Sequence, residues 1–376
     1  MIIAVNTRLL IKNKLEGIGW FTFESFRRIT TQHPEHHFYF IFDRPYDQDF
    51  IFSENITPIV LSPQARHPVL FWFWFEFRIP ALLNRLKPDL FVSPDGYLSL
   101  RSKFKSLAVI HDLNFEHYPK DLPFSIRHYY RCFFPKFARK SDRIATVSGF
   151  SKEDIIKLYN IPEYLIDVVY DGSSEQYRIL SKDEIREVRL KYTGGSGYFV
   201  FIGSLHPRKN LANLFRAFDQ FKKLAPTDTK LLIAGAKKWW TKEIRDAFES
   251  MEYANEVIFC GRQTSDELCK ILGAALALTY VSYFEGFGIP ILEAFRCGVP
   301  VITSNVTSMP EVAGDAALLV DPFDPSSIAA SMMKIGEDNN LREKLIKLGF
   351  ERKELFNWQR TADLLWKSIL KATSNN

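Results

Sequence analysis

The 376-residue sequence has few cysteines, no long apolar run and only a small excess of positive charge. Each shortage excludes a class. The 4 cysteines, Cys132, Cys260, Cys269 and Cys297, are scattered among apolar neighbours with no C-x-x-C pair, so reduced core thiols are expected rather than a disulfide framework or a zinc site. The longest strictly apolar run, Val69 to Phe75, is far shorter than the roughly 18 residues of a membrane span. A formal net charge of +5 is too mild to mark a nucleic-acid protein by itself. No G-x-G-x-x-G follows the first apolar run and no Walker A lysine motif is present, which argues against a nicotinamide dehydrogenase or a P-loop ATPase. The segment Met1-Ile-Ile-Ala-Val-Asn-Thr-Arg8 lacks the basic start and small-residue cleavage site of a signal peptide, so it reads as a first strand and the expected location is the cytoplasm.

What is present is a globular composition, 46% hydrophobic and 25% charged, at a length that predicts two domains of roughly 100 to 200 residues each. Short β-branched or aromatic runs alternate with segments of 3.6 period, the pattern of strand-helix units on a parallel sheet. Two such series occur, so the expected fold class is α/β with two Rossmann-like domains. The boundaries are set at 1–172 for the first domain, 173–197 for a linker region, 198–356 for the second domain and 357–376 for a C-terminal helix that packs back toward the first. The linker assignment rests on the turn chemistry of Asp171-Gly-Ser-Ser and Thr193-Gly-Gly-Ser-Gly197.

Charge is concentrated locally. Between Lys120 and Arg143 there are seven basic residues against two acidic ones, interleaved with Phe124, Tyr129, Tyr130, Phe133, Phe134 and Phe137. Upstream, one helix is expected over Val69 to Leu86, with Phe71, Trp72, Phe75 and Ile79 at helical spacing toward the core. Cations beside exposed rings suit an anionic membrane surface, giving peripheral association at the inner face as an expectation. The same stretch 120–143 also suits a non-catalytic polyanion-binding or scaffold protein. That alternative has no accompanying nucleic-acid motif, so no nucleic-acid partner is expected.

The densest chemical signal is Glu285-Gly-Phe-Gly-Ile-Pro-Ile-Leu-Glu293. It follows an apolar strand, contains a glycine turn, and opens a helix expected to begin at Pro290. The backbone amides of Phe287, Gly288 and Ile289 would then face whatever lies above the sheet, as at an anion-binding helix start. Glu293 is expected in the first helical turn, with Glu285 across the same crevice. A second constellation runs from Gly203 to Asn210, with Arg208 and Lys209 in a strand-to-helix loop where a phosphate would meet a guanidinium fork and an ammonium. Asn210 is placed to cap a helix whose core face is Leu211, Leu214, Phe215, Phe218 and Phe221.

Together these segments resemble the retaining glycosyltransferases of family 4, also called glycosyl transferases group 1. Glu285 to Glu293 is similar to that family's E-x7-E signature. Glu16-Gly-Ile-Gly19 resembles its glycine-rich N-terminal loop, Val109-Ile-His-Asp-Leu113 its VxHD segment, Thr146-Val-Ser-Gly-Phe-Ser151 its TVSxFS segment, and Gly203 to Asn210 its G-x-x-x-x-R-K-N loop. The resemblance implies a GT-B fold, two Rossmann-like domains facing each other across a donor-binding cleft. It implies a hexose transferred with retention from a nucleoside diphosphate sugar to a glycan or lipid-linked acceptor in cell-surface polysaccharide or glycolipid synthesis. Its implied site has Arg208 and Lys209 on the diphosphate, Gly17, Gly19 and Gly203 at the donor, Glu293 on the ribose, Glu285 with the Phe287 and Gly288 amides on the sugar, and His111 facing that sugar. The wording GIG, HPRKN and S-x-x-EGFG is similar to that of mannosyltransferases using GDP-mannose. The resemblance implies no metal and no cofactor beyond the donor.

The sequence departs from the pattern at two places. Ser204 stands where many relatives have arginine, so no arginine role transfers there. Glu16-Gly17 stands where many have two glycines, leaving close backbone approach to Gly17 and Gly19. By residue type alone His111, beside Asp112, fits a satisfied structural histidine as well as a sugar contact. Asp47-Gln-Asp49 imitates a D-x-D metal motif but sits in a polar loop without a strand or helix start.

Overall fold

A computed structural model describes all residues except 66, 226, 237–239 and 375–376. The chain forms two compact units, Met1–Gly172 with Trp358–Asn376, and Ser173–Asn357. Each is a parallel sheet with helices on its faces, because every strand is reached by a crossover connection.

In the first unit the strands are β1 (Ile2–Asn6), β2 (His37–Phe42), β3 (Ile56–Val60), β4 (Leu90–Ser93), β5 (Ser106–Val109), β6 (Arg143–Thr146) and β7 (Ile166–Val168), in the order β3-β2-β1-β4-β5-β6-β7. The order reverses between β1 and β4, so the loops leaving their carboxyl ends diverge above that edge. Two residues bridge the divergence: Arg8, after β1, bonds Asp95, after β4, at 2.5 Å. The other Asp95 oxygen accepts from Asn6 at 2.8 Å, and the Arg8 guanidinium lies 4.6 Å from the centre of the Tyr97 ring. Burial opposes the Arg8 charge, but Asp95 overrides it and keeps the guanidinium protonated.

The expected helix over Val69 to Leu86 is not continuous. It is an α-helix, Pro68–Phe73, a π turn, Trp74–Arg78, and a second α-helix, Ile79–Leu86. Trp74, Phe75, Phe71 and Ile79 are buried whereas Trp72 faces outward, so the expected core position of Trp72 is corrected to Trp74, which donates its indole N–H to Leu61 O at 2.7 Å. On the basic helix Phe124–Lys140, Tyr129, Phe134 and Phe137 are buried in the core, which removes three of the rings that the polyanion reading would use for stacking.

The last helix, Trp358–Thr373, belongs to the first unit. Trp366 stacks on His33 with ring centres 3.9 Å apart, and Thr361 Oγ1 donates to Tyr170 O at 2.7 Å. Asp167 on β7 accepts from Ser368 at 2.8 Å and Lys371 at 2.7 Å, while Arg143 on β6 holds both its oxygens.

The second unit has β8 (Tyr198–Ile202), β9 (Lys230–Ala234), β10 (Val257–Gly261), β11 (Ala277–Tyr280), β12 (Val301–Ser304) and β13 (Leu318–Val320), ordered β10-β9-β8-β11-β12-β13. Here the order reverses between β8 and β11. Leu211, Leu214, Phe215 and Phe218 on the helix Leu211–Leu224 are fully buried, as their spacing predicts. Residues 173–197, expected as a linker region, fold with this unit. Ser181 and Glu184 form a reciprocal capping box at the start of the helix Lys182–Thr193, and Arg189 Nε donates to Ala274 O at 3.0 Å.

Candidate active site

The loops after β8 and β11 leave the sheet at its reversal point, where open α/β sheets hold ligands. Gly203 follows β8 with φ 151°, and Pro207–Lys209 forms a 3₁₀ turn. Asn210 does stand at the start of the next helix, but its side chain does not cap it. Asn210 takes a left-handed φ of 63°, and its Nδ2 donates to Val281 O at 3.0 Å and Pro322 O at 2.6 Å. Tyr283 N donates to Arg208 O at 2.9 Å. These bonds stitch the two loops together and bring Arg208 and Lys209 onto Glu285.

Glu285 is buried between two cations. Lys209 Nζ bonds Glu285 Oε1 at 2.5 Å and donates to the Tyr280 hydroxyl at 2.5 Å. Arg208 Nη1 bonds the other oxygen, Oε2, and donates to Phe284 O at 3.0 Å. Burial alone would raise the Glu285 carboxyl, but Arg208 and Lys209 override it and hold it at about 2. Glu285 is therefore an anion at any working pH and can only accept hydrogen bonds. The arrangement stores two positive charges and one negative charge within reach of one ligand, and the cations are positioned before any anion arrives.

The turn after Glu285 is fixed from below. Gly288 has φ 111°, and a Cβ there would lie 2.8 Å from Met309 Cε, so glycine is required for the turn. Ser308 Oγ donates to Glu285 O at 2.9 Å and to Phe287 O at 3.1 Å, and Glu285 N donates to Thr307 Oγ1 at 3.3 Å. Because Gly288 supplies the cap, the helix begins at Ile289 rather than at Pro290. Glu293 accordingly lies beyond the first helical turn, a correction to its expected place. It is partly buried, and burial raises its carboxyl to about 7 against an opposing bond from the Tyr177 hydroxyl. It is thus poised to change charge near neutrality, unlike Glu285.

The first unit holds the remaining expected residues. Gly17 opens the helix Gly17–Gln32, with nothing within 4 Å of where its Cβ would stand. Gly19 is different: a Cβ would lie 3.1 Å from Leu15 and 3.2 Å from Leu9 O, so its need for glycine is met by packing. His111, partly buried after β5, bonds Pro94 O through Nε2 at 2.8 Å, meets the edge of Phe21 at 5.1 Å, and accepts at its own carbonyl from Ser151 Oγ at 3.1 Å. Bonding to a carbonyl fixes the Nε2–H tautomer and leaves Nδ1 as the acceptor. Burial lowers the ring's affinity for a second proton, so it is neutral near pH 7. Asp47 and Asp49 both bind Lys12, at 2.9 and 3.0 Å, and Asp47 caps the 3₁₀ turn Gln48–Phe50. Among the described residues no group of three or more His, Cys, Asp or Glu side chains is placed to hold a metal ion.

Tyr280, Tyr177, Thr307 and Ser308 were not singled out by the sequence. The signal for the last two was there: Ser304-Asn-Val-Thr-Ser308 is a polar stretch leaving the carboxyl end of β12, beside β11.

Residues 181–352 match the family described as glycosyl transferases group 1, and residues 26–175 match Glycosyltransferase Family 4. The chain is 32% identical to O-antigen chain mannosyltransferase B of Escherichia coli, over 74% of this chain and 73% of that protein. It is 27% identical to the serotype-specific mannosyltransferase WbdA of Escherichia coli over 69% of its own length, and spans only 33% of WbdA. Among solved structures it aligns with sucrose-phosphate synthase from Thermosynechococcus elongatus, covering 99% of both chains at a TM-score of 0.79 and 18% identity. It also aligns with WaaG, a glycosyltransferase involved in lipopolysaccharide biosynthesis, covering 98% of this chain and 99% of WaaG at a TM-score of 0.74 and 15% identity. Those structures speak for the fold, GT-B, and the sequence matches for the family: this chain belongs to the family 4, group 1 glycosyltransferases.

Proposed function

We propose that this glycosyltransferase moves mannose from GDP-mannose, with retention and without a metal, to a hydroxyl of a growing lipid-linked surface polysaccharide. The observation that carries the reading is the Arg208–Glu285–Lys209 cluster at the β8/β11 reversal point. A departing diphosphate needs positive charge, and Arg208 and Lys209 supply it from fixed positions. A sugar needs acceptors for its hydroxyls, and ionised Glu285 can only accept. Glu293 takes the ribose hydroxyls in its ionised form. His111, neutral with Nδ1 as acceptor, serves as a hydrogen-bond partner for the sugar rather than as a general base.

Glu285, held ionised by Arg208 and Lys209, has no proton to give the leaving group, and Glu293 is assigned to the ribose rather than to the reacting oxygens. In the proposed step the bond from the anomeric carbon to the phosphate oxygen breaks, the acceptor oxygen bonds that carbon on the same face, and the acceptor's proton passes to the leaving phosphate oxygen. The mannose and polysaccharide parts are supported by the names of the sequence relatives, O-antigen chain mannosyltransferase B and WbdA. The test is thermal shift and calorimetry with GDP, UDP, ADP and a single-stranded oligonucleotide. GDP should bind most tightly. Stabilisation by the oligonucleotide alone would replace this reading with polyanion binding.

A further inference from the structure

The π turn in the first unit reverses an ordinary burial preference. In an uninterrupted α-helix, position 76 would share the outward face of Val69, Trp72 and Phe73. The extra residue in the π turn gives that place to Phe77. Glu76 is buried instead, its Oε1 accepting from Leu100 N at 2.9 Å, while Val69, Trp72, Phe73 and Phe77 are exposed by 64%, 40%, 40% and 37%. Burying a carboxylate while exposing aromatic rings is unfavourable in water. A contiguous apolar stripe of this kind marks a surface that meets something other than water.

The stripe is organised and has a charged rim. Phe77 meets Trp72 edge-on at 5.0 Å and stacks on Phe73 at 5.6 Å. The Arg101 guanidinium lies 4.3 Å from the Phe77 ring centre, and exposed Arg78 flanks the same turn. The neighbouring helix Phe124–Lys140 packs on this segment through Phe71 against Tyr129, with ring centres 5.8 Å apart. It exposes Phe124 by 72% together with Arg131, Lys136 and Arg139. The one carboxylate of 68–79 points inward, so the outward charge of the segment is positive. Rings that settle at a lipid interface, bordered by cations that seek headgroup phosphates, match an anionic bilayer in both shape and charge.

We propose that the outward face of Val69, Trp72, Phe73 and Phe77, with Arg78, Arg101 and the cations of 124–140, seats the first unit on an anionic phospholipid surface. This goes beyond the transfer reading and needs neither donor nor acceptor, so the two can fail separately. Among the described residues no helix is long and apolar enough to cross a membrane, and the seating is peripheral.

The test is flotation of the whole chain with vesicles of phosphatidylcholine alone or with about one third phosphatidylglycerol, at low salt and at 0.5 M salt, since surface charges are screened within about 10 Å at 0.1 M. The native protein should float with anionic vesicles at least 10-fold more than with neutral ones, and high salt should reduce this. A Trp72→Ser, Phe73→Ser, Phe77→Ser variant should lose flotation while retaining the native melting temperature and GDP affinity. A second variant, Arg78→Glu with Lys136→Glu and Arg139→Glu, should lose it with Val69, Trp72, Phe73 and Phe77 unchanged. Native protein left at the bottom with anionic vesicles overturns the proposal. So does a serine variant that floats as well as the native chain, or a stripe that mediates concentration-dependent self-association without flotation.

Discussion

Lys209 and Glu285 are bonded at 2.5 Å across the two loops that leave β8 and β11. Glu285 is thus the counter-charge of Lys209 and Arg208, the two cations proposed to hold the diphosphate. Removing it should leave their charge available. Glu285→Ala is expected to lower kcat/KM by on the order of 100-fold or more while free GDP binds as tightly as before or tighter. Glu293→Ala should weaken free GDP itself, because its assigned partner is ribose. Calorimetry with GDP and steady-state rates on both variants checks the division, and equal loss of GDP affinity in both contradicts it.

Glu293 sets a pH dependence. Burial raises its carboxyl to about 7, and the titratable groups facing it include Tyr177, Tyr280, Cys269 and Cys297. Only the ionised form accepts from two ribose hydroxyls, so GDP affinity should rise with pH through about 7. Comparing the native protein with Glu293→Gln from pH 6 to 8 cancels the nucleotide's own titration. The affinity gap between them should open as pH rises, and Tyr177→Phe should move its midpoint upward, because a bond to the ionised form is lost. A gap that stays constant across this range refutes the assignment.

Asp95 should be a large stability contributor in the first unit. Its carboxylate is the partner of buried Arg8, and removing one member of a buried pair leaves an uncompensated charge, costing about 3–5 kcal/mol. Asp95→Asn is expected to show a loss of that order in urea unfolding, with Arg8→Met plus Asp95→Asn recovering part of it. A loss under about 1 kcal/mol would mean that water reaches Arg8.

Asp167 predicts an acid limb. Burial would raise it, but Arg143, Lys371 and Ser368 override this and hold it at about 2, below the usual carboxylate range. A depressed carboxylate contributes stability fully above its unfolded pKa and loses it as pH falls through the folded one. The contribution should therefore disappear between about pH 4 and pH 2, loosening the helix Trp358–Thr373 from β7. Asp167→Asn should lack this limb in acid titrations followed by circular dichroism.

The two parallel sheets and the strand-turn-helix around Glu285 were legible because each is written in short-range chemistry. Short β-branched or aromatic runs and segments of 3.6 period set the layers, and Gly286, Gly288 and Pro290 mark a turn before a helix. What was not legible depends on contacts distant in sequence. Glu76 could not be seen to turn inward, because its reason is Leu100 N, 24 residues away. Asn210 has the residue type of a cap, yet carbonyls of Val281 and Pro322 compete for its side chain and win. Ser308, which holds the carbonyls of Glu285 and Phe287, lies on the next strand's loop. Glu293 was recognised by its spacing from Glu285, but its unusual proton affinity comes from burial that spacing does not reveal.

The central claim is retaining transfer from a nucleoside diphosphate sugar bound at the Arg208–Glu285–Lys209 cluster. Proton NMR of GDP-α-mannose incubated with the protein alone tests it most directly, because slow hydrolysis reports the face from which the anomeric carbon is attacked. The account predicts GDP release with α-mannose as the first anomer formed, and strongly reduced release in Glu285→Ala. β-Mannose as the first anomer, or no nucleotide release from any of a panel of sugar nucleotides even with a polysaccharide-repeat acceptor, would contradict it.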